Sequence, residues 1–189
     1  MVNINKAFGF KPVRVHGGYS DPIKNEYVLR NDTVSTTPDD LYYGDLVQKN
    51  SAGEIVQCPA ASTDDVLGVF AGCKYKDSNG KSVFANNFVG GLAGKVTDLV
   101  GFVYDDPKTV FEVQANAAIP QNLLYTGFNI DNVTTSATDK FGQSSETIVS
   151  ASGTTVKVEV IGFPKLIDNN LNQTFNIVEV MINPHLSPS

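Results

Sequence analysis

The sequence contains no tryptophan, two cysteines, two histidines and two methionines, and only two of its fourteen basic residues are arginines, Arg14 and Arg30. Each scarcity excludes something. His16 and His185 lie near opposite termini without a Glu or a second His at ligand spacing, so neither predicts a zinc site or a neutral-pH proton shuttle. Cys58 and Cys73 have fourteen residues between them, far from the C-x-x-C spacing of thiolate metal sites. A chain of 189 residues needs no disulfide to hold a core, so both thiols are expected to be reduced and structural. Charged residues make up 18%, too few for a disordered chain or a coiled coil. No apolar run is long enough to cross a bilayer, and residues 1–13 do not form a signal peptide; no membrane partner is expected, and synthesis in a reducing cytoplasm is. The formal charge is −6, from 14 basic against 20 acidic residues, and the lysines are scattered among carboxylates. That balance excludes nucleic acid as the main ligand, because phosphate binding needs clustered cations.

What is present reads as strand. Hydrophobic residues make up 41%, interrupted by 16 glycines and 9 prolines, which places punctuation between short apolar segments. Residues 1–24 have no period and read as an extended N-terminal arm, which either covers its own domain or reaches a neighbouring subunit. Fully stretched, about 20 residues span roughly 65 Å. Strand signals begin at Tyr27, continue through 41–47 and resume at 54–58. The apolar run 66–75 contains Gly68 and Gly72, which mark a bulge or bend. Asp77-Ser78-Asn79-Gly80 predicts a hairpin with a type I′ turn. Further strands are expected at 96–104 and 109–115, and one short helix beginning at Pro120 and stopping at Gly127. In 155–161 Val156, Val158 and Val160 face one way and Lys157 and Glu159 the other; Val178, Val180 and Ile182 repeat the pattern. The fold class is all-β, a β-barrel or a jelly-roll or sandwich, with at most one or two short helices. Residues 25–189 form a single domain, with a weak subdivision near 115–121.

The search for chemistry returns structural readings. No G-x-S-x-G nucleophile elbow occurs, and Gly142-Gln143-Ser144-Ser145-Glu146 does not replace one. Gly90-Gly91-Leu92-Ala93-Gly94 lacks the Lys-Ser or Lys-Thr that completes a phosphate loop. Asp39-Asp40, Asp64-Asp65 and Asp105-Asp106 are adjacent pairs in loops, whereas glycosidase carboxylates face each other across a cleft. A calcium loop opening at Asp77 needs Glu at its twelfth position, which is Phe88. The three N-x-T triplets at Asn31, Asn132 and Asn172 are read as chance. The chain is therefore expected not to be an enzyme and to carry no cofactor or metal.

The order of segments carries a resemblance. Ala7-Phe8-Gly9-Phe10-Lys11-Pro12-Val13-Arg14 opens the series, followed by Tyr43-Gly44-Asp45-Leu46-Val47 and Leu67-Gly68-Val69-Phe70-Ala71-Gly72-Cys73-Lys74-Tyr75. Val103-Tyr104-Asp105-Asp106-Pro107 and Val110-Phe111-Glu112-Val113-Gln114-Ala115 come next. Val160-Ile161-Gly162-Phe163, Asp168-Asn169 and Val180-Met181-Ile182-Asn183-Pro184-His185 close it. In this order, over nearly the whole chain, the blocks resemble the capsid decoration, or cement, proteins of tailed double-stranded DNA bacteriophages. The sequence departs from them in lacking a mid-chain tryptophan, Phe88 being the nearest aromatic, and in matching loosely after Asn129. The resemblance implies a β-barrel or jelly-roll module on the outer face of the virion, made in the host cytoplasm. Its implied partners are the major capsid protein and further copies of itself, as a dimer or trimer. The candidate capsid or subunit contacts are Phe8, Phe10, Tyr19, Asn183 and His185. A second reading is a tail-associated or host-adhesion domain that holds carbohydrate through Tyr42, Tyr43, Asn86 and Asn87.

Overall fold

The strict alternation at 177–182 becomes the central strand of an antiparallel sheet. A computed structural model describes residues 3–18, 21–31, 40–62, 65–89, 95–131, 142–149 and 156–182. In chain order the strands are β1 (Lys11–Val15), β2 (Asn25–Val28), β3 (Leu41–Tyr42), β4 (Leu46–Lys49) and β5 (Ile55–Gln57). Next come β6 (Gly68–Lys76), β7 (Ser82–Ala85), β8 (Asn87–Phe88), β9 (Thr97–Tyr104) and β10 (Thr109–Gln114). The last five are β11 (Gly127–Phe128), β12 (Ile130–Asp131), β13 (Thr147–Ile148), β14 (Val158–Gly162) and β15 (Ile177–Ile182). A five-stranded sheet runs β1-β10-β15-β14-β11. A six-stranded sheet runs β2-β9-β6-β4-β5, with β7 also on β6, and β3-β8 and β12-β13 form two short pairs. The fold is a β-sandwich type without a closed barrel.

Two cores explain the strand sequences. The first lies between the large sheets, where Phe111, Val113, Val158, Val160, Val178 and Val180 meet Leu46, Val69, Ala71 and Tyr104. The second lies on the other face of the six-stranded sheet, where Val47, Phe70, Cys73 and Val103 pack under Leu41 and Phe88 of the β3-β8 pair. The six-stranded sheet is thus covered on both faces over much of its area. Double coverage requires neighbouring residues of β6 both to be apolar, which is why 66–75 reads as an unbroken hydrophobic run and β15 does not. Ala115 and Ile119 are buried in the first core, so residues 115–121 are anchored to it at two points. Cys58 and Cys73 are thiols, not a disulfide, and are buried in different cores.

Several expectations need correction. The Asp77 hairpin forms, joining β6 to β7, but not through a type I′ turn: of its residues only Gly80 is left-handed, at φ 76°. The turn is closed by Gly80 N–H to Asp77 O (2.9 Å) and Asp77 N–H to Lys81 O (3.0 Å). Asp77 Oδ1 accepts the N–H groups of Asn79 and Lys81, both at 2.9 Å, which fixes the alternative turn. Asn50 and Gly53 repeat the device between β4 and β5, with Asn50 Oδ1 accepting from Ala52 and Glu54. The helix expected after Pro120 is one 3-10 turn, Gln121–Leu123. Lys157, set with Glu159 on the face opposite the valines, is buried; it lies one residue before β14, and alternation of residue type does not report exposure there.

The extended arm also changes character. Residues 11–15 are the edge strand β1, paired along β10. From residue 3 onward the segment is fastened to its own chain, because polar side chains from distant segments satisfy its backbone.

Candidate interaction surface

Two buried polar side chains hold the N-terminal segment. Asn3 donates through Nδ2 to Asn170 O (2.9 Å) and Thr174 O (3.1 Å), and its Oδ1 accepts Asn170 N–H (2.9 Å). Gln114, at the end of β10, accepts Lys6 N–H (3.0 Å) and donates to Ile4 O (2.9 Å) and Phe175 O (3.2 Å). Burying an amide without partners costs about 1–3 kcal/mol, so a satisfied buried amide is a position-specific clamp. Asn169 completes the frame by acting as an extra strand residue beside β15: its Nδ2 donates to Ile177 O (2.7 Å) and its Oδ1 accepts Ile177 N–H (2.8 Å).

The clamps hold apolar side chains outward. Ile4 is 77% exposed although its carbonyl is bonded, and Ile167 is 96% exposed with Leu166 beside it. Beside Ile4 and Leu166 runs a groove of about 230 Å³ walled by Ile4, Phe8, Leu166, Phe175 and Ile177, with Lys6 and Asp168 along it. Phe175 has φ 63°, a left-handed conformation that costs a non-glycine residue roughly 1–2 kcal/mol. Its carbonyl is one of those Gln114 binds, so the strained residue belongs to the same frame. The arrangement is a rigid apolar prominence with a slot the size of one large side chain. Such surfaces suit protein contact, since little ordering remains to be done on binding.

Of the candidate contacts, Phe8 is half-buried in the groove wall. Phe10 is not a contact: it is fully buried, with its ring edge-on to Phe111 at 6.5 Å and its N–H bonded to Gly44 O. Two residues along a chain with a left-handed glycine between them part company, one to the surface and one to the core. Tyr19, Asn183 and His185 lie outside the described residues. Ile4, Leu166, Ile167 and Phe175 were missed, because one or two apolar residues between polar ones carry no period.

The residues considered for carbohydrate do not form one face. Tyr42 pairs with Asn87 across β3-β8, whereas Tyr43 turns into the first core, where burial and a hydrogen bond with Tyr104 push its hydroxyl up to about 12. Near it a polar junction joins two segments: Asp45 Oδ2 accepts Tyr42 N–H (2.8 Å), Glu146 Oε2 accepts Leu46 N–H (2.9 Å), and Ser144 Oγ accepts Glu146 N–H (3.0 Å). Asp45, Ser144 and Glu146 are all buried, so these groups tie the chain together beneath the surface. On the outside, Asp105 accepts from the Tyr27 hydroxyl and from Asn25 Nδ2 (2.8 Å), fastening β2 to the end of β9. Among the described residues, no three His, Cys, Asp or Glu side chains gather as a metal site. Comparison with protein-family models, with curated proteins and with solved structures finds no match.

Proposed function

We propose that this protein is a bacteriophage capsid decoration protein that binds the outer face of the major capsid protein and stabilises the head. The observation that carries the reading is the apolar groove walled by Ile4, Phe8 and Leu166, with Ile4 and, next to Leu166 in the chain, Ile167 exposed, which a passive binding module needs and an internal loop does not. The ordered sequence blocks supply the context. A net charge of −6 also suits an exterior coat, because an acidic protein lining packed DNA is repelled by it. Each contact can be modest: a standard interface buries about 800 Å² per partner, and a shell presents the same site many times.

Copies per purified particle, measured by mass spectrometry together with electron microscopy of the virion, test the reading. Hundreds of copies and density outside the shell are expected. A few copies at the tail support the adhesion module instead, and absence from the particle ends the proposal. Ile4→Glu with Ile167→Glu is expected to abolish rebinding to stripped heads while leaving the fold intact, since both side chains are exposed.

A further inference from the structure

Asn79-Gly80 is the one Asn-Gly pair in the sequence. A glycine nitrogen has no side chain beside it to bar approach to the preceding carboxamide, so this pair is open to a reaction that other asparagines resist. The site is accessible. Asn79 and Gly80 are exposed at the tip of the β6-β7 hairpin, and nothing lies within 4 Å of where a Gly80 Cβ would stand. Among the described residues the Asn79 carboxamide has no hydrogen-bond partner; only its backbone N–H is bonded. Other amides are held. Asn50 donates through Nδ2 to Glu54 Oε2 (2.9 Å) while its Oδ1 accepts two N–H groups, and Asn169 and Asn176 are bonded at both ends. Yet the turn restrains the atom that would react. Gly80 N–H donates to Asp77 O (2.9 Å), and Asp77 Oδ1 accepts the N–H groups on either side of it, those of Asn79 and Lys81. While these bonds stand, the Gly80 nitrogen keeps its proton and its peptide plane is fixed.

From this geometry we infer that Asn79 is a site of spontaneous deamidation whose rate is set by opening of the Asp77 turn. The step is a cyclisation. A base, hydroxide or buffer, removes the Gly80 N–H proton. The nitrogen attacks Asn79 Cγ, and Nδ2 leaves as ammonia, giving a five-membered succinimide. Water then opens the ring at either carbonyl. Breaking the new bond at Cγ leaves aspartate; breaking the bond at the main-chain carbonyl leaves isoaspartate, with the chain running through Cβ. One water enters, one ammonia leaves, and nothing is oxidised or reduced. Opening needs the tip alone, because β6 and β7 stay paired from Lys76 and Ser82 inward. Either product puts a second carboxylate in the turn with that of Asp77, where like charges repel. Isoaspartate also adds a main-chain atom between Asp77 and Lys81, whose spacing the bond from Asp77 N–H to Lys81 O fixes. Conversion therefore loosens the hairpin tip. The site is distinct from the Ile4 groove and does not rest on the capsid reading.

The purified full chain is the test. It is kept in mildly alkaline buffer, folded and in guanidinium chloride, and the peptide that contains Asn79 is followed by mass spectrometry for the replacement of NH by O. Modification at Asn79 is expected in both, at least about tenfold slower in the folded chain, the effect of a few hydrogen bonds that must break first. Asp77→Ala is expected to raise the folded-state rate about tenfold, since two of those bonds are lost. Asp77→Asn, which keeps an accepting oxygen, is expected to restore most of the slow rate. The native chain supplies the folded-to-unfolded comparison without any substitution. No change at Asn79 in guanidinium chloride, equal rates folded and unfolded, or a folded Asp77→Ala variant no faster than the native chain each overturns the inference.

Discussion

At position 9 a side chain of any size meets atoms that cannot retreat. A Cβ there falls 2.5 Å from Ser144 Cβ and 2.9 Å from Gly44 O, and the residue has φ 69°. Gly17 has the same kind of backbone, φ 72°, with open space around it. Gly9→Ala should therefore lower thermal stability well beyond the roughly 1 kcal/mol of the left-handed penalty that Gly17→Ala incurs. Equal shifts in melting temperature for the two would contradict the account. Next to this contact, burial pushes the Asp45 carboxyl up to about 6, although the Ser144 hydroxyl and the Tyr42 N–H favour its charged form. A folded-state value above the ordinary 3.8 of an aspartate means that the folded chain holds the proton more tightly. The associated stability is full below that lower value and lost as pH rises through about 6. Asp45→Asn should remove this loss, so that the melting temperature of the native protein falls relative to the variant across that window. Parallel pH curves would show that burial of Asp45 does not set its titration.

Among elements, the N-terminal segment and the 164–176 loop hold each other. The bonds from Asn3 to residues 170 and 174 join chain segments more than 160 residues apart and satisfy loop carbonyls that no strand reaches. Asn3→Ala should speed amide hydrogen exchange at 170–177 while β10 stays protected, because β10 keeps its ladder to β15. Unchanged exchange in the loop would move the clamp elsewhere. At the same scale, the turns at Asn50 and Asp77 were visible as Asx-x-x-Gly sequences, but their type was not. The side-chain oxygen that captures two N–H groups selected the turn, and dipeptide preference did not.

For the whole molecule, β6 is shared. Val69 and Ala71 enter one core, and Phe70 and Cys73 the other. Neither core can open without exposing the strand that supports its neighbour. Urea unfolding should therefore be one transition, with fluorescence and circular dichroism coincident. Phe111→Ala, in the first core, and Phe70→Ala, in the second, should each lower the single midpoint, at a cost of about 3–5 kcal/mol. Two separated transitions would show that the cores fold independently.

The sequence by itself determined the all-β class, the inward valines of β14 and β15, and the hairpin sites, because period-two patterning and turn chemistry are local. It also pointed to Phe8 in a segment that holds part of the candidate surface. Only the tertiary structure decided that Phe10 is core while Ile4 and Ile167 face outward, that Lys157 is buried, and that the supposed arm is bound to its own chain. Exposure depends on what lies over a side chain. Here that is set by contacts such as Gln114 with Ile4, 110 residues apart, which no local pattern encodes.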